Sequence, residues 1–394
     1  MRYRRFGRTE LSMPVFSCGG MRYQQSWKDI DWPEITPASQ NNLEATLARS
    51  LELGINHIET ARYYGSSERQ LGKALAAYPR SEIILQTKVP PSEDPAEFLE
   101  TFDRSMDLLQ TDYVDLLSIH GVNNAELLDW TLRKGGCLDL AERLQAEGRA
   151  RHIGFSTHAP LPVILEAIAS DRFSYINLHW YYIFQTNQAA LEAAQEHDMG
   201  VFIISPSDKG GHLYSPPQKL VDLCQPLHPM VFNDLFCLSQ PQIHTLSIGA
   251  ARPSDFDRHL ETLPLLDQAE TILAPILRRL EQAMADALGH DWLQTWMVGL
   301  PTPESTPGEI NIPTIVWLHN LVTAFDMVEY AKARYNLLGN GGHWFPGQRA
   351  GRFDRGTLAT VLNQSPHRDR ILNILQEMDS LLGGTAVARL SQSD

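Results

Sequence analysis

The sequence predicts an α/β protein: a (β/α)₈ TIM barrel with a C-terminal α-helical extension. Three observations point there. Eight short, β-rich apolar runs recur over the first 250 residues, and segments of helical period separate most of them. Chemically capable polar residues stand at the C-terminal ends of many of these runs, as a barrel arranges them, whereas an open doubly wound sheet gathers them at one switch point.

In chain order, MRYRRFGRTEL with a turn near Gly7 reads as a short hairpin closing the bottom of the barrel. The eight strands follow as VFSCGG (15–20), INHIET (55–60), IILQTKV (83–89), YVDLLSIHG (113–121), RHIGFST (151–157), YINLHWYY (175–182), GVFIISP (200–206) and TLSIGAA (245–251). Between them, Leu43, Leu47 and Leu51 line one helical face ahead of Gly54 as C-cap, and Phe98, Phe102, Met106 and Leu109 form another. The barrel is expected over residues 1–263. From 264 to 394 the pattern turns helical, with LLDQAETILAPILRRLEQAMADAL and IPTIVWLHNLVTAFDMVEYAKARYNLL separated by the Pro/Gly-rich GLPTPESTPGEINIP. The glycine-rich GNGGHWFPG reads as a structural turn through His343 and Trp344, and the polar end beyond it is expected to fray.

Composition excludes several classes of function. With 47 acidic and 33 basic residues the net charge is −14, which repels nucleic-acid phosphates and anionic membrane surfaces. The four cysteines, Cys18, Cys137, Cys224 and Cys237, lack C-x-x-C spacing, so neither a disulfide framework nor a metal site is expected. H-E-x-x-H is also absent. The basic N-terminus has no apolar signal-peptide core and no run of 18 apolar residues occurs, so a cytoplasmic protein is expected.

The strand ends carry the chemistry. Glu59 and Tyr64 follow the second strand, Lys88 lies on the third and His120 ends the fourth, so in a barrel all four face one mouth. A phenol is a poor proton donor at neutral pH, but an adjacent ammonium favours its ionised form. A buried lysine tends to lose its proton, and a neighbouring carboxylate opposes that loss. A histidine opposite can hold the same substrate oxygen. Together these groups make a general-acid site for a developing alkoxide, suited to carbonyl reduction by a hydride donor. Taken singly, each has a blander reading: a packed tyrosine, a solvated lysine, a core histidine, a turn carboxylate. Their joint order favours the site.

G-I-N-H-I-E-T-A-R-Y-Y-G, L-Q-T-K, L-L-S-I-H and I-G-F-S resemble the successive signatures of the aldo-keto reductase family over roughly residues 1–263. The resemblance implies a barrel that binds NADPH or NADH without a Rossmann fingerprint, and no G-x-G-x-x-G is present. It implies Tyr64 as proton donor, Lys88 as its partner and His120 as the orienting histidine, with Glu59 where the family usually has aspartate. For the cofactor it implies Gly20 and Met21 after the first strand and Ser156 at the nicotinamide carboxamide. Thr157 stands in place of asparagine there, and Asn177 in place of glutamine. Ser205, Ser207 and Lys209 fall in the phosphate segment ISPSDKGG, and Ile204 stands where many members stack a tyrosine on the nicotinamide. Gly249 and Arg252 fall in the adenosine-phosphate segment, where the usual arginine is near Asp255 and the usual E-N pair reads Arg258-His259. Trp180, Tyr181 and Tyr182 read as packing rather than as a substrate pocket.

The tail resembles a subset of the family whose extension carries ferredoxin-like cysteine motifs. I-N-I-P-T-I-V-W-L and G-G-H-W-F-P-G are present, but TWMVGLPTPESTPGEINIP holds no cysteine, so no iron–sulfur cluster is expected. That leaves packing, homo-oligomerisation through the C-terminal helices, or covering the barrel mouth as its task. The expectation is an NAD(P)H-dependent reductase of a small-molecule carbonyl substrate. Its rival is a regulatory or assembly module that holds NADP on the same fold with weak turnover.

Overall fold

The computed structural model describes residues 1–341 and 345–387; His343 and Trp344, and with them the expected turn, lie outside the described residues. The chain divides into two compact units, Met1–Gly210 with Asn233–Ala269, and Gly211–Phe232 with the described residues 270–387.

The first unit opens with an antiparallel hairpin, β1 (Tyr3–Arg5) and β2 (Ser12–Pro14). Eight parallel strands follow: β3 (Phe16–Gly19), β4 (His57–Glu59), β5 (Ile84–Val89), β6 (Val114–Ile119), β7 (Ala150–Ser156), β8 (Tyr175–Leu178), β9 (Gly200–Ile203) and β10 (Thr245–Ile248). They form a closed barrel in sequential order, with β10 pairing back onto β3. Each of the eight apolar runs read from the sequence coincides with one strand, β7 alone starting one residue ahead of its run, at Ala150. The run YINLHWYY yields only Tyr175–Leu178, because Trp180 stacks on Phe236 with centroids 5.0 Å apart and leaves the sheet.

The helical stripes bury as the periodicity requires. Leu43 and Leu47 of the helix Pro37–Glu52 are buried while Leu51, in its last turn, is half-buried, and Gly54 takes a φ of +78° just beyond its end. Phe98, Phe102, Met106 and Leu109 are all buried on Pro95–Leu109, which Asp94 caps through the Ala96 N–H. The hairpin places Phe6, fully buried, against Met13, Ile84, Leu116, Tyr175 and Phe202 at the base of the barrel. Gly7 permits this approach: a Cβ there would come within 2.4 Å of the Gly200 nitrogen.

In the second unit the stretch from Ile312 to Leu338 is two helices rather than one, Ile312–Phe325 and Val328–Tyr335. Asp326 adopts a left-handed φ of +60° between them, a conformation that aspartate tolerates better than most residues. Asn311 of the I-N-I-P motif caps the first of these, accepting from the Thr314 N–H at 3.0 Å. The polar end does not simply fray. Arg368–Leu382 is a helix whose Ile371, Leu375, Met378 and Leu382 recur at helical spacing and are buried, and Asp379 accepts from the Tyr335 hydroxyl at 2.6 Å.

Candidate active site

Strand alternation places the site. Along β4 and β5 the inward positions are His57 and Glu59, then Gln86 and Lys88, so the carboxylate and the amine both point into the barrel near its C-terminal end. Ser118 and His120 continue the pattern on β6 and just beyond it.

Lys88 is 1% exposed and Glu59 3% exposed, and the amine is in direct contact with the Glu59 carboxylate. Lys88 Nζ also donates to the Thr60 carbonyl at 2.9 Å and to the Tyr64 hydroxyl at 3.4 Å. Burial pushes the Lys88 ammonium well below its ordinary value, and the touching carboxylate works against that shift. The His120 ring stands edge-on to the Tyr64 ring, with centroids 5.9 Å apart at 83°. The Lys88 amine therefore meets Glu59 and Tyr64, and His120 reaches the cluster through the Tyr64 ring. Glutamate's extra methylene does not keep the carboxylate from its lysine.

The segment carrying Tyr64 is pinned to β5. The Arg62 N–H donates to the Lys88 carbonyl at 3.0 Å, and the Arg62 guanidinium meets fully buried Glu68 at 3.0 Å. Glu68 in turn accepts from the Thr87 hydroxyl at 2.6 Å. The stretch T-A-R-Y-Y-G-S-S-E thus encodes its own clamp, a role the sequence reading did not assign. Trp27 was also missed. Its ring lies edge-on to Tyr64 at 6.4 Å, and its segment is tied down where Ser26 and Ser66 exchange hydrogen bonds.

The residues expected at a cofactor fall into distinct circumstances. Gly20 is tightly packed, with the Glu59 carbonyl 2.5 Å from where a Cβ would sit, and Met21 beside it is half-buried. Ser156 accepts from the Gly121 N–H at 3.0 Å. The Thr157 hydroxyl is engaged within its loop, donating to the Val122 carbonyl at 2.7 Å and accepting from the Ala159 N–H at 2.9 Å. Asn177, in register with Ser156, is fully buried; its Oδ1 accepts from Gln86 Nε2 at 3.4 Å, while its Nδ2 meets no acceptor among the described residues. Ser205 holds a left-handed φ of +53°, a strained backbone of the kind found at ligand clamps. Ser207 approaches His259 at 3.5 Å and Lys209 approaches His179 at 3.4 Å. The stem of Arg22 lies over Gly249, its Cδ 3.1 Å from a Cβ built there. Arg252 is mostly exposed and pairs with Asp255 at 3.1 Å.

Two polar groupings had no signal in local sequence. Inside the barrel, Ser17 bonds His57 at 2.6 Å, and Gln86 donates to Ser118 at 2.8 Å. Burial lowers the His57 imidazole to about 3, so it is neutral at physiological pH. At the strand ends, His158 Nδ1 lies 2.5 Å from His179 Nε2, and the other His179 nitrogen contacts the Tyr181 hydroxyl, which donates to the Ile204 carbonyl at 2.5 Å. Among the described residues no group of three His, Cys, Asp or Glu side chains could hold a metal ion, and no helix is long and apolar enough to cross a membrane.

The chain is similar to known proteins. The chain is 28% identical over 223 residues to an uncharacterized oxidoreductase of Bacillus subtilis, covering 53% of this chain and 66% of that one. It is 34% identical over 136 residues to L-galactose dehydrogenase of Arabidopsis thaliana, covering 32% and 41%. The chain thus spans under two thirds of the length of either curated relative. Among solved structures, an aldo-keto reductase from Bacillus halodurans in its holo form superposes with a TM-score of 0.58 at 21% identity, covering 70% of this chain and 96% of that one. One from Klebsiella pneumoniae in complex with NADPH gives 0.55 at 18%, covering 69% and 95%. Both likenesses are of fold. Residues 16–215 match the Aldo/keto reductase family, and the chain belongs to that family.

Proposed function

We propose that this protein is a nicotinamide-dependent oxidoreductase that reduces aldehyde or ketone carbonyls to alcohols, with NADPH as the favoured cofactor and NADH as the alternative. The observation that carries the reading is the buried Lys88 amine, held between the Glu59 carboxylate and the Tyr64 hydroxyl. A reduced nicotinamide, when bound, supplies the hydride. Tyr64 gives its proton to the carbonyl oxygen, and the Lys88 charge stabilises the phenolate that remains. Glu59 opposes loss of that charge, and His120, across the Tyr64 ring, holds the substrate oxygen.

The residues present suit such a cofactor. Asn177 Nδ2 is a buried donor that meets no acceptor among the described residues, adjacent in register to Ser156, and a carboxamide carbonyl would satisfy it. NADPH is named because the Klebsiella pneumoniae neighbour is described in complex with it. The test is a fluorescence titration with NADPH and NADH, followed by carbonyl-dependent oxidation across aromatic and aliphatic aldehydes and ketones. Binding with turnover is expected. Binding without turnover on any carbonyl would instead favour the nucleotide-holding module, and failure to bind either nucleotide would overturn both.

A further inference from the structure

The connection from β3 to the helix Pro37–Glu52 runs through residues 20–36 with only the single turn Trp32–Glu34 of its own, and connections beyond about 12–15 residues are usually lids or binding loops. Its ends are anchored by burial and its middle is not. Tyr23 and Ile35 are buried, whereas every residue from 24 to 34 is half-buried or exposed, so little apolar area holds the stretch between the anchors. Polar contacts seat it instead, on the segment that carries Tyr64. The Gln25 N–H donates to Gln70 Oε1 at 2.9 Å, the Ser26 N–H donates to Ser66 Oγ at 3.1 Å, and the Ser26 carbonyl accepts from the Ser66 N–H at 3.0 Å. Gly65 makes room for this: at its φ of +55°, a Cβ would lie 2.0 Å from the Ser26 carbonyl oxygen.

Asp29 is the charged point of the seat. Its carboxylate is in direct contact with the Arg62 guanidinium and lies 3.5 Å from Arg69, on the helix Ser67–Leu75, and 4.0 Å from Arg104, on Pro95–Leu109. Arg69 also pairs with Asp31 at 3.0 Å, and Arg62 with Glu68 at 3.0 Å. The side chains of Arg62 and Arg69 are 11% and 12% exposed, so Asp29 meets guanidinium groups largely withdrawn from water, which strengthens the pairing over that of a surface ion pair. Asp29 itself is 31% exposed, so salt can screen it.

The segment of Tyr64 does not depend on that pairing. Glu68 still holds the Arg62 guanidinium, and the Arg62 N–H still donates to the Lys88 carbonyl. What Asp29 fixes is the middle of the connection. Two residues ahead of it, the Trp27 ring stands edge-on to the Tyr64 ring, with centroids 6.4 Å apart at 81°.

We propose that residues 24–34 are a lid over the Tyr64 side of the site and that Asp29 is its latch, a positioning residue that holds Trp27 against Tyr64 and favours the closed form. This rests on the carbonyl-reductase reading above. A carbonyl at the Tyr64 hydroxyl is enclosed by Trp27 when the lid is shut, so substrate affinity scales with the closed fraction, and saturating substrate draws the lid shut. Loss of the latch therefore raises KM and spares kcat. If the closed fraction falls from nearly all to about one fifth, KM rises about fivefold.

The experiment combines hydrogen–deuterium exchange over residues 21–36 with steady-state kinetics at saturating NADPH, on the wild type, Asp29→Asn and Asp29→Glu, at about 0.05 and about 0.5 M NaCl. Expected at low salt is exchange at least about fivefold faster in Asp29→Asn, with KM for the carbonyl raised about fivefold and kcat within about twofold, while Asp29→Glu, which keeps the carboxylate, stays near the wild type. High salt should move the wild type toward Asp29→Asn and leave Asp29→Asn little changed. The salt series on the wild type reads the latch even if a variant fails to fold. Equal exchange in the wild type and Asp29→Asn, or wild-type exchange indifferent to salt, would overturn the latch. Faster exchange in Asp29→Asn with an unchanged KM would overturn its part in the reaction. A wild type that turns over no carbonyl would overturn the reading beneath, whatever the exchange shows.

Discussion

Replacing Lys88 with methionine isolates what the charge does, because the side chain stays long and apolar while the ammonium is lost. At 3.4 Å from the Tyr64 oxygen, an ammonium and a full phenolate charge interact by about 5 kcal/mol at an effective dielectric of about 20. That is the ceiling, about 4,000-fold in rate; if half the charge has developed at the transition state, the loss is about 60-fold. The assay is kcat/KM from the disappearance of NADPH absorbance, with Kd from nicotinamide fluorescence. Expected is a fall in kcat/KM within that range and a Kd changed by less than about threefold, since the amine's neighbours are Glu59, Thr60 and Tyr64. The variant also strands a carboxylate that is 3% exposed, and breaking a buried pair on one side costs about 3–5 kcal/mol of stability. Pairing it with Glu59→Gln removes that charge, so the double variant should regain stability without regaining rate. A Lys88→Met protein within tenfold of wild-type kcat/KM would refute the argument.

Further outcomes follow from the same geometry. Glu59→Asp, although it restores the residue usual in the family, withdraws the carboxylate by about one C–C bond from an amine it now touches; kcat should fall about 10- to 100-fold, and an unchanged or higher kcat would contradict this. Phe6→Ala empties the base of the barrel, far from the strand ends that carry Tyr64 and Lys88. It should cost about 3–5 kcal/mol in urea denaturation while leaving the NADPH Kd unchanged, and a loss under 1 kcal/mol would mean the hairpin does not plug the core. His57 is held neutral, lowered to about 3 from an unfolded value of about 6.5, so the unfolded chain takes the proton first. Its stabilising share is complete above pH 6.5 and is lost as pH falls toward 3, about 2 kcal/mol of it between pH 6.5 and 5. His57→Gln should show a shallower acid loss in urea midpoints, and an identical slope would place the titration elsewhere.

The barrel was legible because each strand is a short, self-contained signal: β-rich residues, an abrupt polar end and a helical stripe before the next. The meeting of Glu59, Tyr64 and Lys88, with His120 against the Tyr64 ring, was legible for the same reason, since each lies within or shortly after a strand whose inward register follows from alternation. What escaped depends on contacts between distant segments. Gln86 meets Asn177 from 91 positions away, and Ser207 meets His259 from 52 away, so neither pairing leaves a local pattern. The clamp of Arg62 on Glu68 spans only six residues, yet looks like any surface pair until Glu68 is seen to be fully buried. In the second unit, the charges between Ile371, Leu375, Met378 and Leu382 masked an amphipathic stripe, and Asp326 broke a helix without a glycine or proline to mark the place.

Tyr64→Phe puts the central claim to its most direct test, since it removes one oxygen 3.4 Å from the Lys88 amine and leaves the ring against His120 and Trp27. NADPH should bind the variant within about threefold of wild type while carbonyl-dependent oxidation falls at least about a hundredfold, the order that a general acid contributes. Turnover within tenfold of wild type, on a carbonyl the wild type reduces, would show that the proton comes from somewhere else.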